Sequence, residues 1–130
     1  MKMDDNELRQ AMAVLDTYSA QLEALNRQVR LLQISLEDTV RARDSFKALA
    51  NAEEGDEILI PVGASSFIHA KVTGKKKAIV GIGNRFSTEK DLDEAAGFMD
   101  VNANEISAAL RETMGTLGEI EGMASELSAV

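Results

Sequence analysis

The stretch GIGNRFSTEKDLDEA, residues 81–95, places two glycines one residue apart after a short apolar run and ahead of a helix start. That order belongs to phosphate loops, where glycines let backbone N–H groups approach a pyrophosphate at a helix N-terminus. The rest of the fingerprint is missing. A third glycine is expected at position 86, which holds Phe86, and the helix should open directly from the glycines rather than wait until Thr88. No Walker-type sequence occurs either. Two glycines in a strand–turn–strand segment predict a tight hairpin or a bulge.

Other reactive groups are as sparse. His69 is the only histidine, and neither a nucleophile nor an orienting group is spaced to serve it as a base. Cysteine is absent, so metal ligation would fall to carboxylates such as Asp91, Asp93 and Glu94. Those acids fit better in the first turn of a helix. Lys75-Lys76-Lys77 follows Gly74 and reads as a solvated connection between strands. No catalytic, cofactor-binding or metal-binding residue is expected, and an enzyme is not the reading these residues favour.

Composition narrows the class. The 130 residues amount to one domain by length, and 45% of them are apolar. Yet there is no Trp, with one Tyr and four Phe, a balance that suits coiled helices packing Leu, Ile, Ala and Met. A net charge of -8 argues against nucleic acid or an anionic membrane as partner. With no cysteine, no apolar run of membrane-spanning length and acids in the opening MKMDDNELRQ, the expectation is a cytoplasmic protein.

The elements that position these residues are two long helices around a small sheet. From residue 5 to 52, a seven-residue repeat sets Leu8, Leu15, Leu22, Val29, Leu36, Arg43 and Ala50 at a. Ala11, Tyr18, Leu25, Leu32, Thr39 and Phe46 take d. Such a helix would reach about 70 Å and needs a partner helix to cover its stripe. Thr88 is a candidate N-cap for that partner. Its d series runs Leu92, Met99, Ile106, Thr113, Ile120 and Leu127, and its a series Ala96, Ala103, Leu110, Leu117 and Ala124. Gly115, Gly118 and Gly122 would soften its far end.

Between the helices the period shortens to two. Residues 57–62 and 66–72 predict one hairpin around Gly63-Ala64-Ser65, and residues 77–82 and 84–88 a second around Gly83. Pro61 belongs at an edge or bulge. An insert this small lacks a core, so Ile58, Ile60, Ile68, Val80 and Phe86 are expected to join it to other chains. The expected division is 1–54 helix, 55–87 hairpins and 88–130 helix. If the helices run antiparallel, Met1, Met3, Leu8 and Met12 meet Met123, Leu127 and Val130 at the end away from the sheet. Flexible thioethers there suit a surface that accepts many apolar partners.

ILIPVGASSFIHAKV (58–72) and AIVGIGNRFSTEKDLDEAAGFM (78–99), together with the flanking heptads, resemble the archaeal prefoldin alpha subunits. The second hairpin is the specific part, since beta-type subunits have one. Asn84-Arg85-Phe86 departs from the small or branched residues usual there. The resemblance implies an α+β fold whose hairpins build a β-barrel platform in a hexamer of two alpha and four beta subunits. It further implies capture of unfolded protein clients at the coiled-coil tips without ATP, and delivery to a group II chaperonin. Scaffold or adaptor proteins use the same architecture to bind one defined partner, which is the alternative reading.

Overall fold

The computed structural model of the chain describes residues 3–129. Helix α1 (Asp5–Asn51) is followed by strands β1 (Glu57–Gly63), β2 (Ser66–Lys71), β3 (Lys77–Gly83) and β4 (Phe86–Asp91), then by helix α2 (Leu92–Ser128). The fold is the expected one: two long antiparallel helices with two β-hairpins between them. Two compact units share the helices. One combines α1 up to Glu37 with α2 from Asn104, and the other spans Asp38–Ala103.

The first unit is a pair of helical segments. Asp4 starts α1, its Oδ1 accepting the Glu7 N–H at 2.7 Å, so one of the four unpaired donors of the first turn is satisfied. From Ala11 to Leu36 every a and d residue is half-buried, and every residue between them is exposed. On α2, Ile106, Leu110, Leu117, Ile120, Ala124 and Leu127 are half-buried in the same repeat. No residue of α1 is fully buried, because a two-helix pair has no third layer to cover the outer flank of its seam. Thr113, a polar d residue, is buried, and its hydroxyl donates to the Ala109 carbonyl at 2.8 Å. The cost of burying it is thereby met inside its own helix.

The second unit holds the buried core. Val80, Leu92, Ala95, Ala96 and Ala103 are all buried, and four of these five stand in about the first three turns of α2. The small side chains of the three alanines leave little surface to cover, and all three are buried. Arg43 occupies a seam position on α1 where an apolar side chain would be usual. Its Nη1 donates to Asp100 at 3.1 Å and its Nε to Asp44 at 3.1 Å, while Lys47 Nζ lies 3.8 Å from the other Asp100 oxygen. Asp100 first, then Asp44, hold the guanidinium above its ordinary pKa through these hydrogen bonds. A charged seam residue paired with an acid on the facing helix, as Arg43 is with Asp100, fixes the register of two helices that apolar contacts alone would leave free to slip.

The hairpins form two separate two-stranded sheets, not one sheet of four. Both are built alike. In the first, Ile60 faces Ile68 and Pro61 faces Phe67, then the register slips by one residue before Gly63 meets Ser66. In the second, Val80 faces Thr88 and Gly81 faces Ser87, with the same slip before Gly83 meets Phe86. Gly63 and Gly83 have φ of 105° and 102°, and the two turn residues after each are also left-handed: Ala64 and Ser65, Asn84 and Arg85. The second glycine of the Gly-x-Gly pair thus turns the chain at a bulge, and no nucleotide loop is formed. Pro61 sits beside the equivalent bulge, on a strand with a free edge, as its missing N–H requires.

One boundary differs from expectation. Thr88 is not the cap of α2: it lies inside β4 opposite Val80, and the helix begins at Leu92. The capping signal Thr88–Asp91 loses to strand pairing that continues to Lys77 opposite Asp91. The Leu92 N–H then donates to the Lys76 carbonyl at 3.1 Å, holding the start of α2 against the start of β3.

Candidate functional site

Two surfaces expose apolar side chains to solvent. The first lies in the helical unit, where α1 begins and α2 ends. Met3, Val14 and Tyr18 of the N-terminal segment and Met123 and Leu127 of α2 line an open cleft of about 610 Å³, with Glu7 and Glu126 also on its walls. The antiparallel arrangement makes this meeting of chain ends. Of the residues expected at such a tip, Met3, Met123 and Leu127 are brought together in the cleft. Leu8 and Met12 are instead exposed outside it, at 50% and 58%. Met1 and Val130 lie outside the described residues. Ala11 and Tyr18, expected in the seam, and Val14 also line the cleft, although none of the three is among the residues expected at the tip. The d positions of Ala11 and Tyr18 near the start of α1 are the signal that would have found those two; Val14, next to the a residue Leu15, carries no such signal.

Chemically the cleft is a set of adaptable apolar walls with two carboxylates. It offers contact to aliphatic and aromatic side chains through thioethers that can change rotamer. Among the described residues no group of three or more His, Cys, Asp or Glu is placed to hold a metal ion.

The second surface is the pair of hairpins. Strand alternation puts Ile58, Ile60, Ile68 and Ala70 on one face of the first hairpin, and Leu59, Pro61, Phe67 and His69 on the other. Ile60, Ile68, Leu59, Val62 and Phe67 are all exposed, so both faces of a thin ribbon show apolar side chains. Ile58 is half-buried. On the second hairpin Phe86 is 69% and Ile79 75% exposed. Val80 requires a correction. It is 1% exposed within the single chain, so its side chain belongs to the subunit's own core and has nothing left to offer a neighbour. The alternation explains this: Val80 and Thr88 face inwards, while Ile79 on the opposite face takes the outward place.

The three lysines of the connection are each engaged. Lys76 Nζ donates to the Leu49 carbonyl at 3.0 Å and to the Ala52 carbonyl, Lys75 lies 3.4 Å from Glu89, and Lys77 reaches Asp91 at 4.0 Å. α1 has no basic residue in its last turn. Lys76 supplies that missing charge from a distant segment, at the negative end of the helix dipole.

Comparison with known proteins bears on this architecture directly. The family pattern of Prefoldin, a prefoldin subunit, matches residues 18–130. The chain belongs to the prefoldin family. Prefoldin subunit alpha of Pyrococcus horikoshii is 30% identical over 129 residues, covering 98% of this chain and 87% of that protein. The alpha subunit of Methanothrix thermoacetophila is 32% identical over 108 residues, covering 83% of this chain and 71% of the relative. Among solved structures, filamentous prefoldin from Methanocaldococcus jannaschii superposes with a TM-score of 0.70 at 22% identity, over 93% of this chain and 98% of that one. The prefoldin beta subunit from Thermococcus strain KS-1 gives 0.66 at 14% identity, over 99% and 92%. Those two likenesses speak for the fold. Prefoldin membership makes the chain a chaperone subunit, and the likeness to the Pyrococcus horikoshii alpha subunit runs through nearly its whole length. No helix among the described residues is long and apolar enough to cross a membrane.

Proposed function

We propose that the chain is the alpha-type subunit of a holding chaperone that captures unfolded proteins at the free end of its helix pair without ATP. Its hairpins join those of beta subunits in a β-barrel platform, two alpha to four beta, and the captured client passes to a group II chaperonin in the cytoplasm. The observation that carries this reading is the cleft of about 610 Å³ lined by Met3, Val14, Met123 and Leu127. Unfolded chains share exposed apolar side chains and no common shape, so an adaptable apolar receptor used at several points suits them. Several arms on one platform raise the effective concentration of each weak contact.

The test is light scattering of two unrelated denatured proteins on dilution, with the chain mixed with a prefoldin beta subunit. Suppressed aggregation of both supports a holding chaperone. Suppression of neither, with one defined partner bound instead, would make the chain a scaffold or adaptor. Deleting residues 1–12 and 123–130 should leave the platform assembled in size-exclusion chromatography and weaken protection. Full protection by that truncated complex would move capture away from the cleft.

A further inference from the structure

The outer face of α1 carries a feature that the coiled coil does not use. Residues 24–36 form the longest stretch of either helix without a carboxylate, in a chain of net charge -8. Within it, Arg27, Arg30, Leu31 and Ile34 follow the i, i+3, i+4, i+7 spacing of a single helix face and line a shallow groove of about 250 Å³. None of the four is a seam residue, and Leu31 and Ile34 are 68% and 62% exposed. Positions facing away from the seam are ordinarily polar, since aliphatic side chains there gain nothing from the pairing of the helices. Neither arginine is ion-paired among the described residues, although Arg41, about three turns beyond Arg30, is tied to Asp38 and Arg43 to Asp44 and Asp100.

We propose that this face docks an acidic amphipathic helix, one whose carboxylates meet Arg27 and Arg30 and whose aliphatic side chains cover Leu31 and Ile34. Charge decides the occupant. The groove is a local positive spot on an acidic molecule, so a basic segment is repelled by the groove itself, and a neutral apolar one leaves two guanidinium groups without partners. A helical ligand fits because the four residues recur once per turn along about two turns, the repeat that an amphipathic helix presents in return. The site is separate from the cleft at the chain ends and does not rest on the capture of clients there.

Fluorescence anisotropy of a labelled peptide of about fourteen residues, built from Glu and Leu in heptad order and titrated with the full chain, tests the proposal. The same peptide with Lys for Glu is the charge control. The acidic peptide should bind and the basic one should not, and binding should weaken as NaCl rises from about 50 to about 500 mM. Arg27→Gln with Arg30→Gln should weaken it about fivefold. Leu31→Gln with Ile34→Gln should weaken it at least as much, with an unchanged circular dichroism melt because these side chains are already in water. Equal binding of both peptides, or an acidic peptide indifferent to both double variants, overturns the proposal. So does a shift in sedimentation of the variants, which would mean that another copy of the chain covers this face.

Discussion

Lys76 is where one side chain decides most about local geometry. Its ammonium closes the C-terminal end of α1 by donating to the Ala52 carbonyl and to the Leu49 carbonyl, which also accepts the Ala52 N–H at 3.3 Å. Lys76→Met keeps the stem and removes the donor, and should cost about 1–3 kcal/mol in a thermal melt, read at constant pH. Arg43 makes the complementary case across the seam. Because its pKa is raised in the folded state, its contribution is complete at every pH below the ordinary arginine value and is lost only as pH rises through the folded value. The melting temperature should therefore show no step from Arg43 between neutral pH and mild alkali. Arg43→Ala should lower it by a similar amount at both pH values, and a loss that vanished at the higher one would contradict the pairing.

Among the elements, the two hairpin turns differ in chemistry while sharing a backbone. Both need two consecutive left-handed residues, which Asn84 tolerates and Ala64, Ser65 and Arg85 do not favour. Ala64→Asn with Ser65→Gly should stabilise the first hairpin by about 0.5–1 kcal/mol, visible as a higher melting temperature. The distal part of α2 offers the opposite kind of change. A Cβ at Gly115, Gly118 or Gly122 would meet nothing within 4 Å, so these glycines are not there to allow close approach. Each replacement by alanine should add about 1 kcal/mol of helix stability. If opening of the helix end serves capture, the triple variant should melt higher and protect a denatured client less well. A more stable chain with undiminished protection would show that the glycines play no part in opening.

At the scale of the whole molecule, the middle of the chain differs in charge from its flanks. All the acids fall outside residues 58–88, a segment with five basic residues. The acidic helices resist clustering with one another, while exposed Ile60, Phe67, Ile68 and Ile79 leave the hairpins free to associate. Ile68→Glu should give smaller species by analytical ultracentrifugation with the helical signal retained. Val80→Glu should instead lower the melting temperature of the subunit itself, because a carboxylate would be placed in its buried core. If the two variants behave alike, the distinction between assembly surface and internal core fails.

The sequence by itself determined the two helices, the two hairpins and the side of each helix that is covered, down to individual seam residues such as Leu25, Thr113 and Leu117. Those features follow from periods of 3.5 and 2, which report on every residue of an element and tolerate a local exception. The resemblance in the hairpins determined the family for the same reason, since its signal is spread over many positions. Only the tertiary structure decided that Val80 faces its own chain while Ile79 does not, that Lys76 reaches back to the end of α1, and that Val14 and Tyr18 share a cleft with Met123 and Leu127. Each of these depends on which residues distant in sequence come to lie opposite one another. Strand alternation separates two faces but does not say which is covered, and heptads mark a seam without saying where its open end leaves a cavity.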